Sequence, residues 1–329
     1  MHQLAAADRS TDALLRDCLQ QSPAIPSRIM HLERKRLESS TSYDTSIVTV
    51  QLEDGRTLRV FMKDFGHSVR PKDQPHLRRE RELHFYRDLA PQGELGTPRY
   101  FGSVWEPENG RQWLLIEYVQ GTPVRYCDFE DWPLATAWLG EMHGCFSSQL
   151  QRLESCAFLA LHDRDFFRSK AQCSLDTVAR IAQAESARLA DALRDYDDVV
   201  DTMLRGPRTL LHGGYRPMNV LIRIEGDPRR ICVIDWEEAG VGSPISDLGY
   251  FVDGFEGARL ELLLDRYRAA AEPLGLPLPA HDEMLHAIDC FRLHKLVHSL
   301  QKYVRWNVPA ETIQRLIDEV AARARAVRA

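Results

Sequence analysis

The spacing of apolar residues changes once along this chain, near residue 120, and this change limits the folds that the chain can adopt. Between residues 28 and 65 apolar residues alternate in short runs, which predicts three antiparallel strands with a hairpin turn at Asp54-Gly55. Helical spacing then predicts one helix over 76–89, and two further strands are predicted at 98–104 and 113–118. The first third of the chain is therefore predicted to be a small, mainly antiparallel sheet with one helix.

Beyond residues 121–123 the sequence has the periodicity of helices. Amphipathic segments at 134–146, 175–193 and 196–204 predict a helical body, and the runs 209–212 and 231–235 predict two short strands within it. The sequence thus predicts an α+β chain in which a sheet-rich lobe precedes a helical one.

These patterns divide the chain into three parts. Residues 1–27 are predicted to form a leader helix and an extended entry, because Pro23 and Pro26 interrupt helical backbone. Residues 28–120 are predicted to form the N-terminal lobe and residues 121–329 the C-terminal lobe, with the junction near Val119–Pro123.

Charge and cysteine content restrict the classes of partner. The formal net charge is −6, so the chain has no overall positive field for a nucleic acid backbone, and no run approaches the roughly 20 apolar residues of a membrane helix. The seven cysteines are odd in number and scattered, with no C-x-x-C pair, which is typical of reduced thiols. We expect a cytoplasmic protein that binds neither nucleic acid nor membrane.

The most informative segment combines a turn-rich loop with two flanking apolar strands. It runs from His212 through Asn219 to Ile222, and Asp235 follows at the end of the next strand. Amide and carboxylate oxygens are ligands that Mg²⁺ accepts where it bridges nucleotide phosphates. Asn219 and Asp235 are therefore the predicted metal ligands.

This segment resembles the aminoglycoside phosphotransferase and choline kinase family, whose members are relatives of protein kinases. The family loop reads H-G-D-x-x-x-x-N and is followed by I-D-[WF]-[ED], and this spacing is reproduced at 212–219 and 234–237 here, while 242–248 resembles the family's G-x-P-x-x-D-L segment. The resemblance implies a two-lobed protein-kinase-like fold, with a small antiparallel sheet lobe and a larger, mainly helical lobe. It also implies ATP or GTP and Mg²⁺ as cofactors.

One position departs from the family pattern. The family aspartate that accepts or orients the proton of the substrate hydroxyl is replaced by Gly214. General bases contribute about 10² to 10⁴-fold to such rates, so three alternatives stay open: a slow or differently assisted kinase, a nucleotide-binding pseudokinase, or a working enzyme into which the glycine was introduced. If transfer is fast, Asp247 or a bound water would be the candidates for handling the proton.

The other candidate residues follow from the same resemblance. His212, as scaffold, and Arg216 complete the candidate catalytic loop with Gly214, and Asp247 would support that loop by hydrogen bonds. Lys63, at a strand end, would hold the α and β phosphates and would pair with Glu82, or alternatively with Glu80.

Three further positions would contact the nucleotide. Ser42, in the polar loop 37–46, would face the phosphates, and the backbone groups of Glu117 and Val119 would meet adenine. The loop 37–46 is explained equally well as an ordinary hairpin loop, and the segment with Glu117 and Val119 as an edge strand. Lys63, considered alone, is explained as an exposed lysine of a strand.

The sequence therefore predicts ATP- and Mg²⁺-dependent phosphoryl transfer to a hydroxyl of a small molecule or peptide. The alternative is a nucleotide-binding pseudokinase that acts as a regulatory or scaffold subunit for a protein partner. Acidic and basic residues over 251–329 are roughly balanced, so no polycationic acceptor is implied.

Overall fold

The computed structural model describes residues 2–38, 43–68, 72–90, 95–181, 183–223, 230–305 and 308–328. It contains two compact units, the first formed by Met1–Pro123 with Val220–Glu237 and the second by Val124–Asn219 with Glu238–Ala329. The sequence patterns placed everything after residue 120 in the second lobe. The structure divides the chain differently at 220–237, and within this range Leu221–Arg223 pair with the strand Gly121–Pro123 of the first unit.

The first unit is built on a five-stranded antiparallel sheet in the order β1-β2-β3-β5-β4. Its strands are β1 (Ile29–Leu37), β2 (Tyr43–Leu52), β3 (Thr57–Ser68), β4 (Tyr100–Glu106) and β5 (Arg111–Glu117). The predicted three-stranded meander and the two later strands are confirmed. The predicted hairpin turn between β2 and β3 is also present, with Gly55 in the left-handed conformation at φ +82°.

One face of this sheet packs against the N-terminal helix α1 (His2–Gln20). In β2 the residues Val48, Val50 and Leu52 are buried while Gln51 is exposed, as expected for a strand with one face in a core. Leu15 and Leu19 of α1 are fully buried in the same hydrophobic cluster. The leader helix is therefore part of the first unit.

The predicted helix at 76–89 is α2 (Pro75–His84) followed by one π-helical turn, Phe85–Leu89. A small antiparallel sheet, β6 (Gly121–Pro123), β9 (Val220–Arg223) and β10 (Ile231–Val233), completes the first unit. The ring of Phe85 stacks on Trp236, with 3.6 Å between centroids, so the segment after β10 is held against the end of α2.

The second unit is mainly helical. Its helices are α3 (Trp132–Ser147), α4 (Leu150–Glu154), α5 (Arg164–Ile181), α6 (Gln183–Ala192), α7 (Tyr196–Leu204), α8 (Ile245–Phe251), α9 (Gly257–Ala271), α10 (His281–Arg305) and α11 (Ala310–Ala326). A short sheet contains β7 (Ala160–Leu161), β11 (Gly240–Gly242) and β8 (Thr209–Leu211), in that order. The amphipathic segment predicted at 175–193 corresponds to the end of α5 and to α6, and the buried face of α5 begins earlier, at Phe167.

Close packing of α3 on α9 forms part of the core of this unit. A Cβ at Gly140 of α3 would lie 2.5 Å from the carbonyl oxygen of Tyr267, so only glycine allows this approach of the two helices. In the described part of the chain, no helix has the length and apolar character required to cross a membrane.

We predict that Leu15→Ala lowers the free energy of unfolding by about 2–5 kcal/mol, because it leaves a cavity between α1 and the sheet. Urea denaturation followed by circular dichroism measures this. The matched control is Leu77→Ala on α2, where the leucine is 43% exposed and truncation removes little buried area. Equal losses in the two variants would show that α1 does not contribute to the core.

Candidate functional site

Lys63 of β3 lies at the centre of an ion-pair cluster in the first unit. Its Nζ donates to Glu82 Oε2 of α2 at 2.6 Å and to Asp235 Oδ1 at 2.8 Å. Lys63 is only 8% exposed, whereas Glu80, the alternative partner considered from the sequence, is exposed. The structure therefore brings Lys63, Glu82 and Asp235 together from three separate parts of the sequence.

The electrostatics of this cluster follow from burial and from an excess of carboxylates around one lysine. Burial raises the pKa of Glu82 to about 7, and the carboxylates of Asp235 and Glu237 add to this effect against the opposing effect of Lys63. Burial opposes protonation of Lys63, but Asp235 and Glu82 outweigh it and raise the pKa of this lysine. Lys63 therefore keeps its positive charge, which a phosphate-binding lysine requires.

Glu237 extends the cluster through residues that the sequence motifs did not reveal. Lys72 Nζ donates to Glu237 Oε1 at 2.7 Å and Arg78 Nη1 donates to the same oxygen at 3.0 Å. Arg81 donates to the backbone carbonyl of Glu237 at 2.9 Å. Lys72 and Arg78 carry no motif signal, because their role depends on a contact more than 150 residues away in sequence.

Asp235 combines a left-handed backbone with a partly exposed side chain. Its φ of +68° is left-handed, a conformation that non-glycine residues adopt rarely and that is enriched at functional sites. The fully buried Trp236 anchors the next position. The Asp235 side chain is 39% exposed, compared with 2% for Glu82 and 8% for Glu237.

The donor atoms in this cluster fit a divalent cation. Oxygens of Glu82, Asp235 and Glu237 lie within 4.8 Å of one another, and carboxylate oxygens are the ligands that Mg²⁺ prefers. Glu82 and Glu237 are buried and already paired with cationic side chains. Asp235 is therefore the carboxylate of this cluster that is best placed to offer an oxygen to a metal.

In the second unit, Asp247 of α8 holds the loop that follows β8. The backbone N–H of His212 donates to Asp247 Oδ2 at 2.6 Å, and that of Gly213 donates to Oδ1 at 2.9 Å. Asp247 is fully buried, as is His143, whose Nε2 lies 3.4 Å from Asp247 Oδ2. Burial acts against ionisation, yet the hydrogen bond with His143 and the bonds from the loop lower the pKa of Asp247.

Hydrogen bonds within the loop fix the remaining motif residues. The N–H of Gly214 donates to Nδ1 of the buried His212 at 3.2 Å, so His212 acts as scaffold. Asn219 Nδ2 donates to the carbonyl oxygen of Gly214 at 3.1 Å, which orients the amide. Arg216 is half-buried, and its Nη2 lies 3.5 Å from Glu238 Oε2.

The predicted adenine-binding positions lie at the end of β5 and just after it. Glu117 ends β5, and its carboxylate pairs with Arg223 of β9 at 3.0 Å. Val119 is half-buried in the segment that leads to β6. Ser42 lies outside the described residues.

We predict that Lys63→Met lowers the free energy of unfolding by about 3–5 kcal/mol at pH 8, because it leaves Glu82 and Asp235 without their shared cation. The deficit relative to the unaltered protein should shrink at pH 6. A carboxyl group whose pKa is raised by folding is protonated and tolerated below that pKa, and ionising it costs stability as the pH rises.

Urea denaturation at both pH values measures the effect, and Lys63→Met with Glu82→Gln should recover part of the loss. The control is Lys35→Met, at an exposed lysine of β1. This view of the cluster would be contradicted if Lys63→Met lost no more unfolding free energy than Lys35→Met. It would also be contradicted if the loss for Lys63→Met were larger at pH 6 than at pH 8.

The sequence and the fold of this chain resemble those of known proteins. A model of the phosphotransferase enzyme family matches residues 42–285, whereas no curated protein matches the chain by sequence. Among solved structures, a macrolide 2'-phosphotransferase from Brachybacterium faecium is similar at 17% identity and a TM-score of 0.60, with 94% of this chain and 97% of that chain covered.

Two other solved structures show the same fold. An aminoglycoside 2'-phosphotransferase-IIIa in complex with GDP has 16% identity and a TM-score of 0.62, over 92% of this chain and 96% of that chain. A choline kinase from Cryptosporidium parvum has 10% identity and a TM-score of 0.61, over 97% and 95%. The predicted kinase-like fold is confirmed, and the family match covers most of the chain. The chain therefore belongs to the phosphotransferase enzyme family.

Proposed function

We propose that this protein transfers the γ-phosphoryl group of ATP or GTP to a hydroxyl group of a small molecule, in a Mg²⁺-dependent reaction. The observation that carries the proposal is the buried Lys63, paired with Glu82 and Asp235, in a chain of the phosphotransferase family. A lysine held by a helix glutamate is the arrangement that positions nucleotide phosphates in kinase-like proteins.

Each residue of the first unit then has a distinct task. Lys63 binds the α and β phosphates, and Glu82 holds the lysine in place. Bound Mg²⁺ would neutralise charge on the phosphate oxygens, and Asp235 would supply a carboxylate ligand to it. Backbone groups of Glu117 and Val119 would meet the base, and Ser42 would approach the phosphates.

The solved structures that resemble this chain indicate which nucleotides and acceptors to test. One neighbour contains GDP, so GTP needs testing beside ATP. Others are described as a macrolide phosphotransferase, an aminopropanol kinase and choline kinases. These descriptions support a small hydroxyl compound as acceptor, and a peptide hydroxyl is the second class to test.

Gly214 favours a second candidate function. Without the family aspartate, the protein would bind Mg-nucleotide and act as a pseudokinase, a regulatory or scaffold subunit for a protein partner. The two functions differ in turnover, because a pseudokinase binds the nucleotide but leaves it intact.

We predict that the unaltered protein binds ATP or GTP in a Mg²⁺-dependent manner and that Asp235→Ala weakens this binding at least tenfold, because the variant lacks the carboxylate ligand. Isothermal titration calorimetry with and without Mg²⁺ measures it. Glu108→Ala, which removes an exposed acidic residue of the first unit, is the control. Lack of nucleotide binding by the unaltered protein would refute the proposed function.

We further predict that the protein phosphorylates at least one member of a panel containing macrolides, aminoglycosides, choline, ethanolamine, aminopropanol and serine-containing peptides. Nucleoside diphosphate release above the acceptor-free rate and a phosphorylated product detected by mass spectrometry are the expected results. Tight Mg-nucleotide binding without turnover, with or without any acceptor, would support the pseudokinase function instead.

A further inference from the structure

A carboxylate lies beside Gly214 although the residue itself has none. A Cβ built on Gly214 with ideal geometry would lie 2.8 Å from Glu238 Oε2, so a side chain at this position would require the end of the Glu238 side chain to shift. In an aspartate, the carboxylate oxygens lie about 2.4 Å from their own Cβ, by standard bond lengths and angles. Glu238 Oε2 is therefore nearly as close to the Cβ position at residue 214 as the carboxylate oxygens of an aspartate there would be.

Glu238 is held against the loop by its backbone as well as by its side chain. Gly213 has φ +76°, and a Cβ there would lie 1.9 Å from the carbonyl oxygen of Glu238 and 3.0 Å from its Cβ. The backbone of the loop thus packs directly on the backbone of Glu238, a contact that only glycine permits. Asp247 fixes Gly213 in turn, through the 2.9 Å hydrogen bond from its N–H.

The two adjacent glycines accommodate different parts of the same residue. Gly213 makes room for the Glu238 backbone, and Gly214 makes room for its carboxylate. Arg216 Nη2 restrains that carboxylate from 3.5 Å, and the Glu238 side chain keeps 24% of its surface exposed. A carboxylate is one of the side-chain types that accept a proton from a substrate hydroxyl, and this one is restrained beside the loop and keeps exposed surface.

Asp247, the candidate considered from the sequence, is less suited to this task. Both of its oxygens accept backbone N–H groups of the loop, and the residue is fully buried. Its carboxylate positions the loop and has no exposed surface to offer to an acceptor.

We propose that Glu238 is the general base of this phosphotransferase and takes over the task of the aspartate that Gly214 replaces. The inference rests on the proposed function. The acceptor hydroxyl gives its proton to Glu238 Oε2 while its oxygen forms a bond to the γ-phosphorus. The bond from that phosphorus to the β–γ bridging oxygen breaks, and the electron pair leaves with the nucleoside diphosphate. Glu238 then returns the proton to solvent.

With Glu238 as the base, the aspartate introduced by Gly214→Asp is not expected to raise kcat by itself. Gly214→Asp alone would bring a second carboxylate beside Glu238 Oε2, so the end of the Glu238 side chain would have to shift and charge repulsion would oppose the pair. The left-handed backbone is at Gly213 and not at Gly214, so backbone strain at 214 is not the obstacle. We therefore expect a gain from Gly214→Asp only when the Glu238 side chain is removed as well.

The test moves the carboxylate between the two positions. We expect Glu238→Gln and Glu238→Ala to lower kcat by about 10² to 10⁴-fold, with little change in KM or Kd for Mg-nucleotide. The double variant Gly214→Asp with Glu238→Ala should have a kcat at least about tenfold higher than that of Glu238→Ala. Rates are measured with the acceptor identified from the panel and, without acceptor, as Mg-ATP and Mg-GTP hydrolysis. The control is Glu185→Gln, which removes an arginine-paired carboxylate of similar exposure from α6, 20% against 24%.

The outcomes separate this proposal from the proposed function. A kcat for Glu238→Gln within about threefold of the unaltered protein, in an enzyme that does transfer phosphate, would overturn the role of Glu238 and leave the function intact. A higher kcat for Gly214→Asp alone would likewise overturn it. Loss of kcat in Glu238→Gln without recovery in the double variant would show a structural role. If the unaltered protein neither hydrolyses nucleotide nor modifies any acceptor, the function fails and Glu238 has no proton to accept.

Discussion

The first unit depends on one buried cation shared by two carboxylates. Lys63 is 2.6 Å from Glu82 and 2.8 Å from Asp235, so a single side chain links a sheet strand, a helix and the segment after β10. A buried lysine without partners would be costly, and so would the buried Glu82 carboxylate without a cation. The stacking of Phe85 on Trp236 fixes the same segment by apolar contact, which leaves Asp235 as the partly exposed member of the cluster.

In the second unit, Asp247 has the corresponding organising task. Its two oxygens accept consecutive backbone N–H groups, and the loop so fixed places Gly213 and Gly214 against Glu238. Asp247 acts by holding the loop backbone, and the Glu238 carboxylate lies beside Gly214, the position of the family aspartate.

Local sequence was sufficient to predict those features that depend on the spacing of residues along the chain. The alternation in 28–65 predicted the strands, and the motif residues around Asn219 and Asp235 predicted the family. It was insufficient where a role arises from contacts between distant segments. Lys72 and Arg78 acquire their partner Glu237 only through folding, and Glu238 shows its relation to Gly214 only when the loop backbone is in place. The pairing of β9 with β6 similarly moved 220–237 into the first unit.

The most direct test of the central claim is a crystal structure with Mg²⁺ and a non-hydrolysable ATP or GTP analogue. Phosphoryl transfer through the Lys63 cluster predicts that Lys63 Nζ contacts an α or β phosphate oxygen while it keeps Glu82, and that an oxygen of Asp235 coordinates the metal. A nucleotide bound away from Lys63, or an unchanged Lys63–Asp235 pair with no metal at Asp235, would contradict the account.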